Sequence, residues 1–186
     1  YVSAMMLAVS MMFLRFMILI LIFSTSIFLN IYPYLLIMSA TAAGIGIFIH
    51  KKHTIKGERE VIEETETESN PLEFKVALIF ALLFVVFTFL THYTLVYAGT
   101  GGLSILSIAT GLSDITPFIL NLLQGGNIPA TIVGACIMQA IISNIVVNMF
   151  YAIFFSSRRK EMLPYVWKGF LTVIGVNAVL LLIYYF

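Results

Sequence analysis

Apolar residues fill five stretches of the chain, at about 4–27, 33–50, 72–97, 129–156 and 164–186. Each is close to the roughly 20 residues that cross a bilayer as a helix. A sixth stretch, 103–124, has the length but not the pattern. It runs apolar from Leu103 to Thr110, is interrupted by Gly111-Leu-Ser-Asp114, and resumes from Ile115 to Gln124 with Thr116 and Pro117 at its start. In lipid every backbone N–H and C=O needs a partner, so a break at membrane depth survives only inside protein or beside a wet cavity. Two half-helices meeting near the midplane are how many secondary transporters build a site. The pattern predicts an all-α polytopic membrane protein with about five transmembrane helices plus one broken, re-entrant helix at 103–124.

The polar stretches set the expected topology. The spans 4–27 and 33–50 form a hairpin through Leu29-Asn-Ile-Tyr-Pro33, and 129–186 forms a second hairpin. Between them lie a solvated loop at 51–70 and the helix 72–97, which starts at Asn70 as N-cap, Pro71 at the first helical position and Glu73 as in a capping box. Gly99-Thr-Gly-Gly102 reads as a flexible lead-in to the half-helix. Lys51, Lys52, Lys56 and Arg59 in one loop, and Arg158, Arg159 and Lys160 in 157–163, place both loops in the cytoplasm by the positive-inside rule. An even number of crossings must then separate them. A re-entrant 103–124 gives an even number, whereas a full crossing would export the second basic loop. Pro33-Tyr34, Thr41 and Gly44 recur at the same spacing as Pro164-Tyr165, Thr172 and Gly175, with Ser10 and Arg15 matching Ser143 and Asn148. An inverted hairpin repeat, frequent in transporters, would produce this.

Composition narrows the function classes. The 186 residues are 61% hydrophobic and 10% charged, with mean hydropathy +1.04, against about 25% charged for a soluble domain. A formal net charge of +1 points to no nucleic-acid partner, and one cysteine allows no internal disulfide. No zinc spacing, phosphate loop or nucleophile elbow occurs, so neither a cofactor nor an enzymatic activity is expected. The chain starts without Met and already apolar at Tyr1. It reads as a single membrane domain, 1–186, from the C-terminal part of something longer.

The candidate chemistry lies with the few polar residues at membrane depth. A mid-membrane arginine costs about 2.5–3.5 kcal/mol on insertion scales, so Arg15 should face the bundle and find a partner. Asp114 is the one acid within an apolar segment, and an Arg15–Asp114 pair could open as an ion or proton binds. The alternative is structural: Asp114 or Ser113 caps the second half-helix and Arg15 snorkels or bonds loose carbonyls. Asn144 and Asn148 share one face of their helix; Gln139 and Ser143, about 100–140° away, read as interhelical hydrogen-bonding residues. The expected binding set is Gly111, Ser113, Asp114, Thr116, Arg15, Asn144 and Asn148.

Several of these segments resemble a known family. Ser10-Met-Met-Phe-Leu-Arg15, Asn70-Pro-Leu-Glu-Phe-Lys-Val-Ala-Leu78, Gly102-Leu-Ser-Ile-Leu106, Gly111-Leu-Ser-Asp114 and the Ser143-Asn144 helix are similar to the integral-membrane domain of unknown function associated with MgtC/SapB proteins of bacteria. The resemblance implies the bacterial inner membrane and an MgtC-like domain or a further copy as partner. It also implies a Gly-Leu-x-Ser-Ser-Thr segment before Tyr1 that partners the second break. Members often carry a second acid where this chain has Thr116, and a lysine where it has Asn148, so a site needing those groups is not reproduced here. The bilayer and a small ion or solute complete the expected partners. Two function classes follow: a transporter or channel-like permease for a small solute or ion, or a non-transporting regulatory or assembly module that binds other membrane proteins.

Overall fold

The computed structural model describes residues 2–53, 72–125, 128–156 and 163–185. Residues 54–71, with Lys56, Arg59, the acidic run and the expected Asn70 N-cap and Pro71, and the basic residues 158–160 lie outside what is described. Lys51 and Lys52, expected in the loop, instead continue the second helix to His53. The order is α1 (Val2–Phe23), α2 (Thr25–His53), α3 (Leu72–Thr110), α4 (Thr116–Gln124), α5 (Ala130–Ser156) and α6 (Leu163–Tyr185). All described secondary structure is helical, and five helices are long and apolar enough to cross a membrane. At 1.5 Å per residue, α1 with its 22 residues is about 33 Å long, while α4 with nine is far too short to span.

The first hairpin turns at Ser24, not at the expected 29–33 connection. Ser24 N–H closes the last turn of α1 on Ile20 O at 2.8 Å, and its hydroxyl accepts from Ile27 N–H at 3.4 Å as the N-cap of α2. One residue therefore ends one helix and starts the next. Pro33 lies inside α2; it withholds a single backbone donor, which a membrane helix tolerates. The hairpin is fixed by close polar contacts: Ser3 Oγ donates to Gly46 O at 2.8 Å, and Ser10 Oγ to Ser39 O at 3.0 Å. Gly46 permits the approach, since a Cβ there would lie 3.2 Å from Leu7 and 3.3 Å from Ser3 O.

The flexible segment expected at Gly99–Gly102 is also corrected. α3 is interrupted at one residue, Gly99, with φ 61° and ψ −153°, and is helical again to Thr110. That conformation is essentially restricted to glycine. It reverses the chain, because Gly102 comes to lie against Ala98 and Thr94, where a Cβ would meet Thr94 Cγ2 at 2.9 Å. The returning half-helix thus begins at Thr100 rather than 103. After a second break at 111–115, α4 turns back along α3: Phe118 meets Phe87 edge-on at 5.9 Å and Asn121 Nδ2 donates to Thr88 Oγ1 at 2.7 Å. Pro117 in its first turn needs no donor there.

These contacts assign a direction to every helix. The start of α1, the end of α5 and the start of α6 share one end of the bundle, where Met6 packs on Gly169. The end of α2 joins them, through Ser3 and Gly46. Ser24, Gly99, Gly125 and the Tyr34–Tyr184 ring contact of 5.3 Å define the other. The two hairpins therefore run through the bundle in opposite senses. Their matched residues differ in role, however: Pro33 is inside α2 and Pro164 is in the first turn of α6. The core between them is made by Met6, Phe13, Phe16, Ile31, Phe118 and Phe170, all essentially inaccessible.

Candidate functional site

The second break is held open by local hydrogen bonds and by α5. Gly111, Leu112 and Ser113 N–H close onto Ile108, Ala109 and Thr110 O at 3.3, 3.2 and 3.0 Å, which tightens the end of the half-helix to a three-residue repeat. Gly111 is buried against α5 so closely that a Cβ would overlap Ser143 and lie 2.8 Å from Asn144 N. Ser143 Oγ donates to Ile108 O at 2.7 Å, and Asn144 Nδ2 to Gly111 O at 3.3 Å and to Ser113 O at the 3.5 Å limit. Asn148 Nδ2 donates in turn to Asn144 Oδ1 at 3.1 Å. The carbonyls released by the break are thus met by two successive side chains of α5.

The charged residues approach from the other side. Asp114 Oδ1 accepts from Thr116 N–H at 3.0 Å and from Thr116 Oγ1 at 2.7 Å, an Asx turn that leads into α4. Arg15 Nη2 donates to the same Thr116 Oγ1 at 2.9 Å. The expected direct Arg15–Asp114 pair is therefore not formed; a hydroxyl stands between the charges. Thr116 is a single γ-hydroxyl able to accept from a guanidinium while donating to a carboxylate. Asp114, Ser113 and Arg15 are exposed at the bundle surface, whereas Ile115 and Phe118 beneath them are buried. The seven expected residues fall into two hydrogen-bonded groups, Asn148–Asn144 on the carbonyls of Gly111 and Ser113 and Arg15–Thr116–Asp114, joined through the backbone of the break.

Some polar contacts lie beyond that set. Ser107 Oγ is 2.7 Å from Ser104 O and 2.9 Å from the Gln139 amide, and Gln139 Nε2 donates to Tyr185 Oη at 3.2 Å. This continues the polar face of α5 toward the Gly99 end. A cavity of about 410 Å³ between α3 and α4 is lined by Thr88, Thr91, His92, Asn121 and Gln124. Sequence reasoning missed it, although polar residues at 88, 91 and 92 do mark one helix face. Among the described residues no three His, Cys, Asp or Glu side chains converge as metal ligands. The break offers one carboxylate, an arginine, two amides and a few carbonyls.

An all-helical bundle with five apolar membrane-length helices and a polar break defines a polytopic membrane protein. The chain belongs to the family described as Domain of unknown function (DUF4010), which matches residues 1–156. It is similar to an uncharacterized protein of Aquifex aeolicus (strain VF5), 24% identical over 153 residues, covering 81% of this chain. The aligned part spans 63% of that relative's length. No solved structure matches.

Proposed function

We propose that the protein is a transporter or channel-like permease for a small solute or ion, with its site at the Gly111–Asp114 break. The observation that carries this is the Arg15–Thr116–Asp114 arrangement. Two opposite charges near the middle of the bundle are held next to each other yet not paired, on a surface open to a ligand. An unpaired carboxylate in lipid is costly, so this surface calls for water, substrate or another protein wall. The half-helix geometry supports a re-entrant segment: 100–110 starts and α4 ends at the same end of the bundle, opposite the end of α2 and the start of α6. That arrangement is compatible with both basic loops on the cytoplasmic side of a bacterial inner membrane. An MgtC-like domain as partner belongs to the same proposal, and the proposal includes no catalytic step.

The test is solute-driven swelling of liposomes holding the purified protein, over a panel of amino acids, polyols and alkali salts. At least one solute should enter faster than into protein-free liposomes, and Asp114→Asn should slow it tenfold or more at an unchanged melting temperature. Equal rates for every solute with and without protein would refute transport. A non-transporting membrane module is the second reading, favoured by the close packing of Gly111 on Ser143 and Asn144.

A further inference from the structure

The region between α1 and α5 extends the break toward the basic end of the bundle. Arg15, Met12, Ala8 and Met5 recur at intervals of three and four residues and so share one face of α1. Asn144, Asn148 and Tyr151 do the same on α5. Between these two faces lies a cavity of about 300 Å³, lined by Met5, Ala8, Met12, Asn148, Tyr151 and Phe170. Its lining side chains are apolar apart from the Asn148 amide and the Tyr151 hydroxyl. Asn148 also belongs to the break, through its hydrogen bond to Asn144. The cavity and the polar site are therefore neighbours, one helical turn apart on both helices.

We propose that this composite site takes a small zwitterion with an apolar side chain, that is, an apolar α-amino acid. The proposal rests on the transport reading above and names its substrate class. A lone anion drawn to Arg15 would be opposed by Asp114, and a lone cation drawn to Asp114 would be opposed by Arg15. A molecule carrying an ammonium and a carboxylate on one carbon satisfies both. Arg15 spends one of its five donors on Thr116, and Asp114 engages only Oδ1 among the described residues. Both retain capacity for a carboxylate and an ammonium group. Asn148 and the methionines then receive the side chain. A void of roughly 150 Å³ accommodates benzene, so this cavity has room for a leucine or phenylalanine side chain.

Binding of tritiated L-leucine to the purified full chain tests this, with competition by glycine, isovalerate and isoamylamine. Leucine should bind saturably, and each competitor should be at least tenfold weaker. Glycine lacks the side chain, isovalerate the ammonium and isoamylamine the carboxylate. Because the analogue series uses the unaltered protein, it reads the site even if variants fold poorly. Arg15→Gln and Asp114→Asn should each weaken leucine tenfold or more, and Ala8→Phe should do so by filling the cavity. Isoamylamine or isovalerate matching leucine overturns the zwitterion assignment. So does a phospholipid that co-purifies in the cavity and excludes leucine. If leucine does not bind while another solute swells the liposomes, this inference fails and the transport reading stands. If leucine binds and nothing enters, the site stands and transport fails.

Discussion

Arg15 Nη2 donates to Thr116 Oγ1 at 2.9 Å, and that oxygen donates onward to Asp114 Oδ1 at 2.7 Å. Oppositely charged side chains on α1 and on the break thus interact through a neutral hydroxyl. A direct pair would satisfy both charges and leave little for a ligand. The spacer holds them close and keeps most of their hydrogen-bonding capacity available.

Removing the spacer should therefore matter more than its size suggests. Thr116→Val keeps the shape of the side chain and deletes both bonds, and a hydrogen bond to a charged group is worth roughly 1.5–3 kcal/mol. Solute entry into liposomes should fall at least tenfold. Thr116→Ser restores the hydroxyl and should recover most of the rate. Equal rates for Thr116→Val and the parent chain would remove the relay from the mechanism.

The break was legible in the sequence because glycine, aspartate and proline within an apolar run conflict with a continuous lipid-spanning helix. The six polar residues expected around it, with Gly111, lie at the break because polar side chains at membrane depth are costly unless they have partners. What was not legible is where the chain reverses. Ser24 looks like any small polar residue in an apolar run, while Pro33 carries a strong local signal; packing of α1 on α2 through Ser10 and Ser39 overrides it. The four-residue glycine segment 99–102 suggested a loop, yet one unusual φ at Gly99 accomplishes the whole reversal. The hydroxyl between Arg15 and Asp114 could not be read either, because spacing along the chain does not reveal which oxygen lies between helices.

The glycines should divide into two groups on substitution by alanine. Gly99→Ala places a Cβ at φ 61° and ψ −153°, a strain of about 1–3 kcal/mol. Gly111→Ala drives a methyl group into Ser143 and the backbone of Asn144, and overpacking of that kind costs roughly 1–3 kcal/mol. Gly44 and Gly175 have nothing within 4 Å of the added carbon. Their alanine variants should melt with the parent protein in detergent, while Gly99→Ala and Gly111→Ala melt several degrees lower. Uniform melting across all four would contradict the close approach at Gly111.

Thr91 gives the opposite sign. It is 5% exposed and its hydroxyl has no partner among the described residues, although Thr88, three residues earlier, donates to Phe84 O at 2.8 Å. A buried unsatisfied polar group costs about 1–3 kcal/mol. Thr91→Val keeps the branched shape and removes that group, so the variant should be as stable as the parent or more so. A clear loss of thermal stability would mean that the hydroxyl is engaged by a water or ligand in the α3–α4 cavity.

The direction of the helices makes a topological prediction that can be read in intact cells. α3 runs away from the basic end, residues 100–110 return, α4 turns back, and α5 completes the crossing. Segments on either side of α5 should then lie on opposite faces of the membrane, with the one before it outside. In a Cys136→Ser background, a cysteine at Gly126 should react with an impermeant maleimide added to cells, and one at Ser157 should react only after permeabilisation. The reverse pattern would place the basic loop at 158–160 outside. Since α5 fixes these two positions on opposite faces, a further cysteine at Lys56 locates the first basic loop. Protection of both Lys56 and Ser157 requires the pair of half-helices to enter and leave on one side. Labelling of Lys56 with protection of Ser157 would require them to cross, and the site would then belong to a sixth span.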